Sequence, residues 1–165
     1  MTAWPPWRRC RAERRRAAYR AATGLALYGE AGRLVWYRSR HFGSATQLRS
    51  AVYAILNDVP DLRWVVMEGG GSYGDIWRRE ADRRQITVLQ IDAQVWRKQL
   101  LYVREQQNGP DAKKYAGDLA RRVIAWSGAP RPTALRHDTA EAILIGLWGA
   151  LAVGLLPALP EGLRR

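Results

Sequence analysis

Residues 142–160 carry no charged side chain, and they are entered through "RHDTAEAILIGLWGA" (residues 136–150), which sets Asp138 and Glu141 three apart at its mouth. A run this apolar can lie in a bilayer or in a core closed on every side by other elements. Its length is near the ~20 residues a membrane span needs. However, three glycines interrupt it, Pro157 and Pro160 end it, and two acids open it. The pattern predicts a buried core helix over about residues 138–156, and no membrane partner. Burying such a helix needs a real core. A chain of 165 residues, 47% apolar, has room for one and is not a disordered sequence.

Composition narrows the function classes. The single cysteine, Cys10, excludes an intrachain disulfide and a CxxC metal pattern. A reduced, cytoplasmic location is expected. His41 and His137 are the only histidines, too few for a His-rich metal site. The formal charge of +12 suggests nucleic acid, but it is unevenly spread. Seven arginines fall in residues 8–20, and Arg164 and Arg165 close the chain. With those nine and Glu13 set aside, 18 basic residues face 14 acidic ones, so the body is only about +4. No apolar run follows the N-terminal arginines, so a secretory signal is not expected.

Residues 1–22, "MTAWPPWRRCRAERRRAAYRAA", contain no convincing strand or amphipathic helix and are expected to be a basic, irregular arm. From Thr23 the character changes. "GLALY" and "RLVWYRS" are strand candidates joined by the turn-rich "GEAG". "SATQLRSAVYAILNDV" has Leu48, Val52, Ile55 and Leu56 at helical spacing. "LRWVVMEG" reads as a buried strand, "YGDIWRREADRR" as a polar helix and "ITVLQI" as another buried strand. "DAQVWRKQLL" and "DAKKYAGDLARRVIAWSG" read as helices, before the final apolar one. A hairpin followed by alternating helices and strands predicts a single α/β domain over residues 23–157, with a mixed sheet and a tail at 158–165.

Three acids stand out. Glu68 ends a predicted buried strand, where ligands collect in open α/β sheets, and the glycine-rich "GGGSYG" follows without forming a phosphate-binding GxxxxGK[ST] loop. Taken alone, Glu68 also reads as a strand-end carboxylate in solvent. Asp138 and Glu141 also read as an N-cap and its N3 partner in a capping box. Together the three have the chemistry for a hard divalent cation, which takes oxygen ligands and in pairs can clamp a phosphodiester.

The succession "VVMEG" … "WRKQLL" … "GPDAKKYAGDLARRVIAW" … "HDTAEAILIG" resembles the RuvC-type Holliday junction resolvase family, within the ribonuclease H-like superfamily. In that family a glutamate ends the fourth strand, as Glu68 would, and an acid pair opens the final helix, as Asp138 and Glu141 would, with Glu in place of Asp at 141. The resemblance covers about residues 23–157. It implies a ribonuclease H-like mixed sheet flanked by helices. It also implies a homodimeric, Mg²⁺- or Mn²⁺-dependent endodeoxyribonuclease of the crossover-junction type, acting on branched DNA. Glu68, Asp138 and Glu141 would be the catalytic metal ligands, and Lys98, Lys113 and Lys114 would contact the DNA; all three lysines read equally well as solvated surface groups.

One element of the family pattern is missing. An aspartate should end a first apolar strand in a pattern like "DxGxxTGWA". Counting back from "TGLA" puts Ala18 there, with "ERRRAA" where the apolar strand belongs. A catalytically dead relative that still binds branched DNA, a replacement at position 18, and a non-native first 20 or so residues each account for this. The eight tryptophans are expected mainly in the core or at a subunit contact. By the resemblance, Trp77 would anchor a dimer interface. A plain α/β domain with no nucleic-acid role is the third reading.

Overall fold

The protein is described by a computed structural model over residues 16–21, 24–102 and 109–164, the first of these segments as backbone only. Five strands form one mixed sheet in the order β3-β2-β1-β4-β5. They are β1 (Arg16–Ala21), β2 (Gly24–Tyr28), β3 (Leu34–Ser39), β4 (Leu62–Glu68) and β5 (Thr87–Ile91). β1–β2 and β2–β3 are antiparallel, whereas β1–β4 and β4–β5 are parallel. Five helices complete the domain: α1 (Ala45–Asn57), α2 (Gly71–Asp82), α3 (Ala93–Leu100), α4 (Gly109–Ser127) and α5 (His137–Ala152).

Alternation along the strands sorts the core into two layers, because successive side chains point to opposite faces. On one face Leu25, Leu27, Val65 and Met67 pack with Leu48, Val52, Ile55 and Leu56 of α1 and with Trp77 and Ala81 of α2. On the other, Ala26, Tyr28 and Val66 pack with α3, α4 and α5. Every residue of β2 is buried, since helices cover both its faces. α5 is apolar all round for the same reason. It lies on the sheet and is flanked by α4, which buries Ile143, Leu144, Ile145 and Leu147 completely. Each such side chain removed from water contributes roughly 1.5–3 kcal/mol. The Tyr28 hydroxyl, buried in this layer, donates to the Ile143 carbonyl at 2.7 Å. Among the described residues no helix is long and apolar enough to cross a membrane.

Three expectations are corrected here. The final helix stops at Ala152 rather than near Leu156, with Gly154 at φ +74 just beyond it, a conformation that ends a helix at little cost for glycine. Arg16–Ala21 form the central strand, not an irregular arm; residues 1–15, 22 and 23, Cys10 among them, lie outside the described residues. Composition misleads at β1 because a strand between two partners has both edges hydrogen-bonded, and tertiary pairing overrides weak local propensity. Trp77 is 1% exposed inside its own domain's core, so it has no surface to offer a partner. Among the other tryptophans, Trp96 is fully buried and Trp64, Trp126 and Trp148 pack against the same layer, as a core role requires.

Candidate functional site

Glu68 shares strand parity with Trp64 and Val66, so it belongs to the sheet face covered by α3, α4 and α5. At its end of β4 the chain turns through Gly69 and Gly71, at φ +73 and +71. Nothing lies within 4 Å of where their Cβ atoms would sit. Backbone conformation, not close approach, makes these two positions glycine. The turn carries the chain into α2 and leaves the Glu68 carboxylate under α3, where Trp96 donates Nε1–H to Oε2 at 2.8 Å. Glu68 is therefore held by a buried indole rather than left in solvent.

Asp138 and Glu141 come to the same end of the sheet from above. The N-cap of α5 is Arg136, with no side-chain cap bond, so the capping box does not form. Instead each acid reaches another element. Ser39, the last residue of β3, donates Oγ–H to Asp138 Oδ2 at 2.6 Å, and Arg136 lies 3.6 Å from Oδ1. Glu141 accepts from Arg97 of α3 at 2.9 Å, with His137 Nε2 at 3.3 Å from the same oxygen. Both carboxylates are largely withdrawn from water, with side chains 15% and 13% exposed, so they need these partners.

Sheet register explains why the three acids meet at one end. Ser39 pairs with Gly24, and Gly24 with Ala21. Arg20 pairs with Met67, one residue before Glu68. Ser39, Gly24, Ala21 and Glu68 thus form one row across four strands, spaced about 4.8 Å apart. α5 enters over Gly24, where an added Cβ would lie 2.0 Å from the Asp138 carbonyl oxygen. α3 ties the set together: Trp96 holds Glu68, and the adjacent Arg97 holds Glu141.

The position counted for the missing acid needs correction. Ala18 pairs with Leu27 and with Val65, which belong to the α1/α2 layer, on the face away from Glu68. A side chain's face flips with each residue along a strand, so a count that is off by one reverses it. Positions 17, 19 and 21 are in register with Tyr28, Ala26 and Gly24, on the Glu68 face. They are Ala, Tyr and Ala, so β1 supplies no carboxylate there.

Among the described residues no group of three or more His, Cys, Asp or Glu is arranged to hold a metal ion. Each carboxylate instead accepts from a protein N–H or O–H, and Arg97 and Arg136 supply positive charge beside Glu141 and Asp138. As arranged, the acids do not fit a divalent ion. Lys98 is exposed on α3, and Lys113 and Lys114 are exposed in the first turns of α4.

Trp96, Arg97, Ser39 and Gly24 shape the site without having been singled out from the sequence for it. The available signal was positional. Ser39 is the small polar residue that ends the strand after Arg38, and Trp96 and Arg97 immediately precede Lys98. No protein-family model and no curated protein matches the chain.

Proposed function

We propose that this chain is a ribonuclease H-like domain of the RuvC resolvase type that binds branched DNA, with Glu68, Asp138 and Glu141 as the remnant of a metal-dependent endodeoxyribonuclease centre. The observation that carries the reading is the delivery of Glu68, from the end of the fourth strand, and of Asp138 and Glu141, from the first turn of the last helix, to one end and one face of a mixed sheet. Lys98, Lys113 and Lys114, exposed on the helices α3 and α4 that cover this face, support a polyanionic partner. The protein would work as a homodimer, one subunit to each strand cut.

In an active relative, Mg²⁺ or Mn²⁺ would supply the nucleophilic water and stabilise charge on the phosphate. Here these acids are engaged by Trp96, Ser39, Arg97 and Arg136, and β1 adds no acid. That observation favours a second reading: a junction-binding protein whose arginines have taken over the cation's electrostatic role. Gel shifts with a four-way junction and a linear duplex, and nicking assays with Mg²⁺ or Mn²⁺, test both. Junction-selective binding with weak or no nicking is expected. Nicking restored by Tyr19→Asp or Ala21→Asp, but not by Ala18→Asp, supports a damaged nuclease. Continued inactivity with binding intact supports the second reading, and equal affinity for junction and duplex would sink both.

A further inference from the structure

The charged run "DIWRREADRR" is not absorbed by the acid site, and it lies against the other face of the sheet. There α1 and α2 flank a groove of about 470 Å³, lined by Arg49, Tyr53, Ile76, Arg79, Glu80 and Arg83. Its size falls in the usual range for a ligand site. Its one acid is already neutralised: Glu80 accepts from Arg83 at 3.2 Å and from Arg84. Arg49 and Arg79 are exposed, and among the described residues neither is held in an ion pair. Tyr53 is 56% exposed, a large aromatic left in water, and the Arg84 guanidinium lies over its ring at 5.0 Å. Arg84 is itself fixed by Asn57 at 2.7 Å, so this face of the tyrosine is preordered.

We infer that the α1/α2 groove binds single-stranded DNA, a base stacking on Tyr53 and the phosphodiester backbone running along Arg49 and Arg79. Two features favour this occupant over an acidic protein segment. The groove pairs an exposed aromatic face with surplus guanidinium charge, the combination that binds single strands without sequence preference. A purely acidic ligand would use the arginines and leave the tyrosine ring idle. The inference is independent of the resolvase reading, because the groove and the acids lie on opposite faces of the sheet.

The test uses the full chain. An oligo(dT) carrying 5-iodo-deoxyuridine is photocrosslinked to the protein and the adduct is mapped by mass spectrometry. In parallel, anisotropy with fluorescein-labelled oligo(dT) is followed across a salt series for wild type, Arg49→Ala/Arg79→Ala, Arg49→Lys/Arg79→Lys, Tyr53→Ala and Lys98→Ala/Lys113→Ala/Lys114→Ala. A crosslink at Tyr53 is expected. The double alanine variant should bind about tenfold more weakly at low salt, with the log–log salt slope reduced by about 1.4, since each phosphate on a single strand accounts for ~0.7. The lysine pair should retain most of the slope. Tyr53→Ala should lose about tenfold, the usual scale of one stacked base. The triple lysine variant should bind oligo(dT) like wild type whatever it does to junction binding, which separates failure here from failure of the resolvase reading. Crosslinks confined to other residues, with the double alanine variant unimpaired, would overturn the inference. Displacement by poly-glutamate as potent as that by unlabelled oligo(dT) would assign the groove to an acidic protein. A change in oligomeric state without a change in oligo(dT) binding would assign it to a second copy. Either assignment replaces the inference.

Discussion

Replacing Gly24 with alanine drives a methyl group into the start of α5. The new Cβ would lie 2.0 Å from the Asp138 carbonyl oxygen, 2.5 Å from its carbonyl carbon and 3.0 Å from the Ala142 Cβ. The obstacle is mainly helix backbone, so no rotamer change relieves it. The first turn of α5 must move until the 2.0 Å contact opens to at least 3.0 Å, against a helix whose residues 142–147 are all buried. Overpacking of a tight core typically costs 1–3 kcal/mol, and a backbone obstacle puts this case at the upper end, about 3 kcal/mol. With a urea m-value of about 2 kcal/mol/M, the unfolding midpoint should fall by roughly 1.5 M at unchanged slope. The same displacement pulls Asp138 from Ser39, so Ser39→Ala should cost less in the Gly24→Ala background than alone. Urea unfolding followed by circular dichroism measures all four proteins. A midpoint within 0.2 M of wild type, or strictly additive costs, would refute the claim that this glycine sets the seating of α5.

Three further outcomes follow from the site and its surroundings. Arg97→Met and Glu141→Gln should each destabilise the protein, with a coupling of roughly 1–2 kcal/mol in the double-mutant cycle; zero coupling would mean the 2.9 Å contact contributes nothing. Trp96→Phe keeps most of the buried ring but removes the donor to Glu68, and a hydrogen bond to a charged acceptor is worth ~1.5–3 kcal/mol. The loss should shrink when Glu68→Gln is already present, which chemical denaturation of the pair reads directly. Burial raises the Tyr37 phenol above its ordinary value of 10.0, while its hydroxyl donates to the Pro130 carbonyl. The unfolded chain therefore loses this proton first, and the phenol's contribution, full below pH ~10, is lost as pH rises through the folded value. Melting temperatures measured upward from pH 9 should fall less steeply for Tyr37→Phe, and parallel curves would count against the assignment.

Among the described residues, period and punctuation alone located all but one of the strands and all five α-helices, because each packs apolar residues against the core at its own repeat and most are bounded by Gly, Pro or a polar residue; the strand read as buried from "ITVLQI" is instead the sheet edge β5, with no fully buried residue. Ser44, whose Oγ accepts from the Gln47 amide at 3.2 Å, is such a boundary. The strand that was missed, Arg16–Ala21, has no such signature, and its existence depends on hydrogen bonds to β2 and β4, partners the local sequence does not contain. Glu68, Asp138 and Glu141 were legible as candidates because charge beside an apolar run needs a reason. What holds them was not legible. Asp138 and Glu141 had the spacing of a capping box, yet they engage Ser39 and Arg97, 99 and 44 residues away, and Glu68 meets Trp96, 28 residues on. Local pattern fixes which residues are apolar and how they repeat; the partner of a buried charge is decided only when register and helix seating bring distant donors within hydrogen-bond reach.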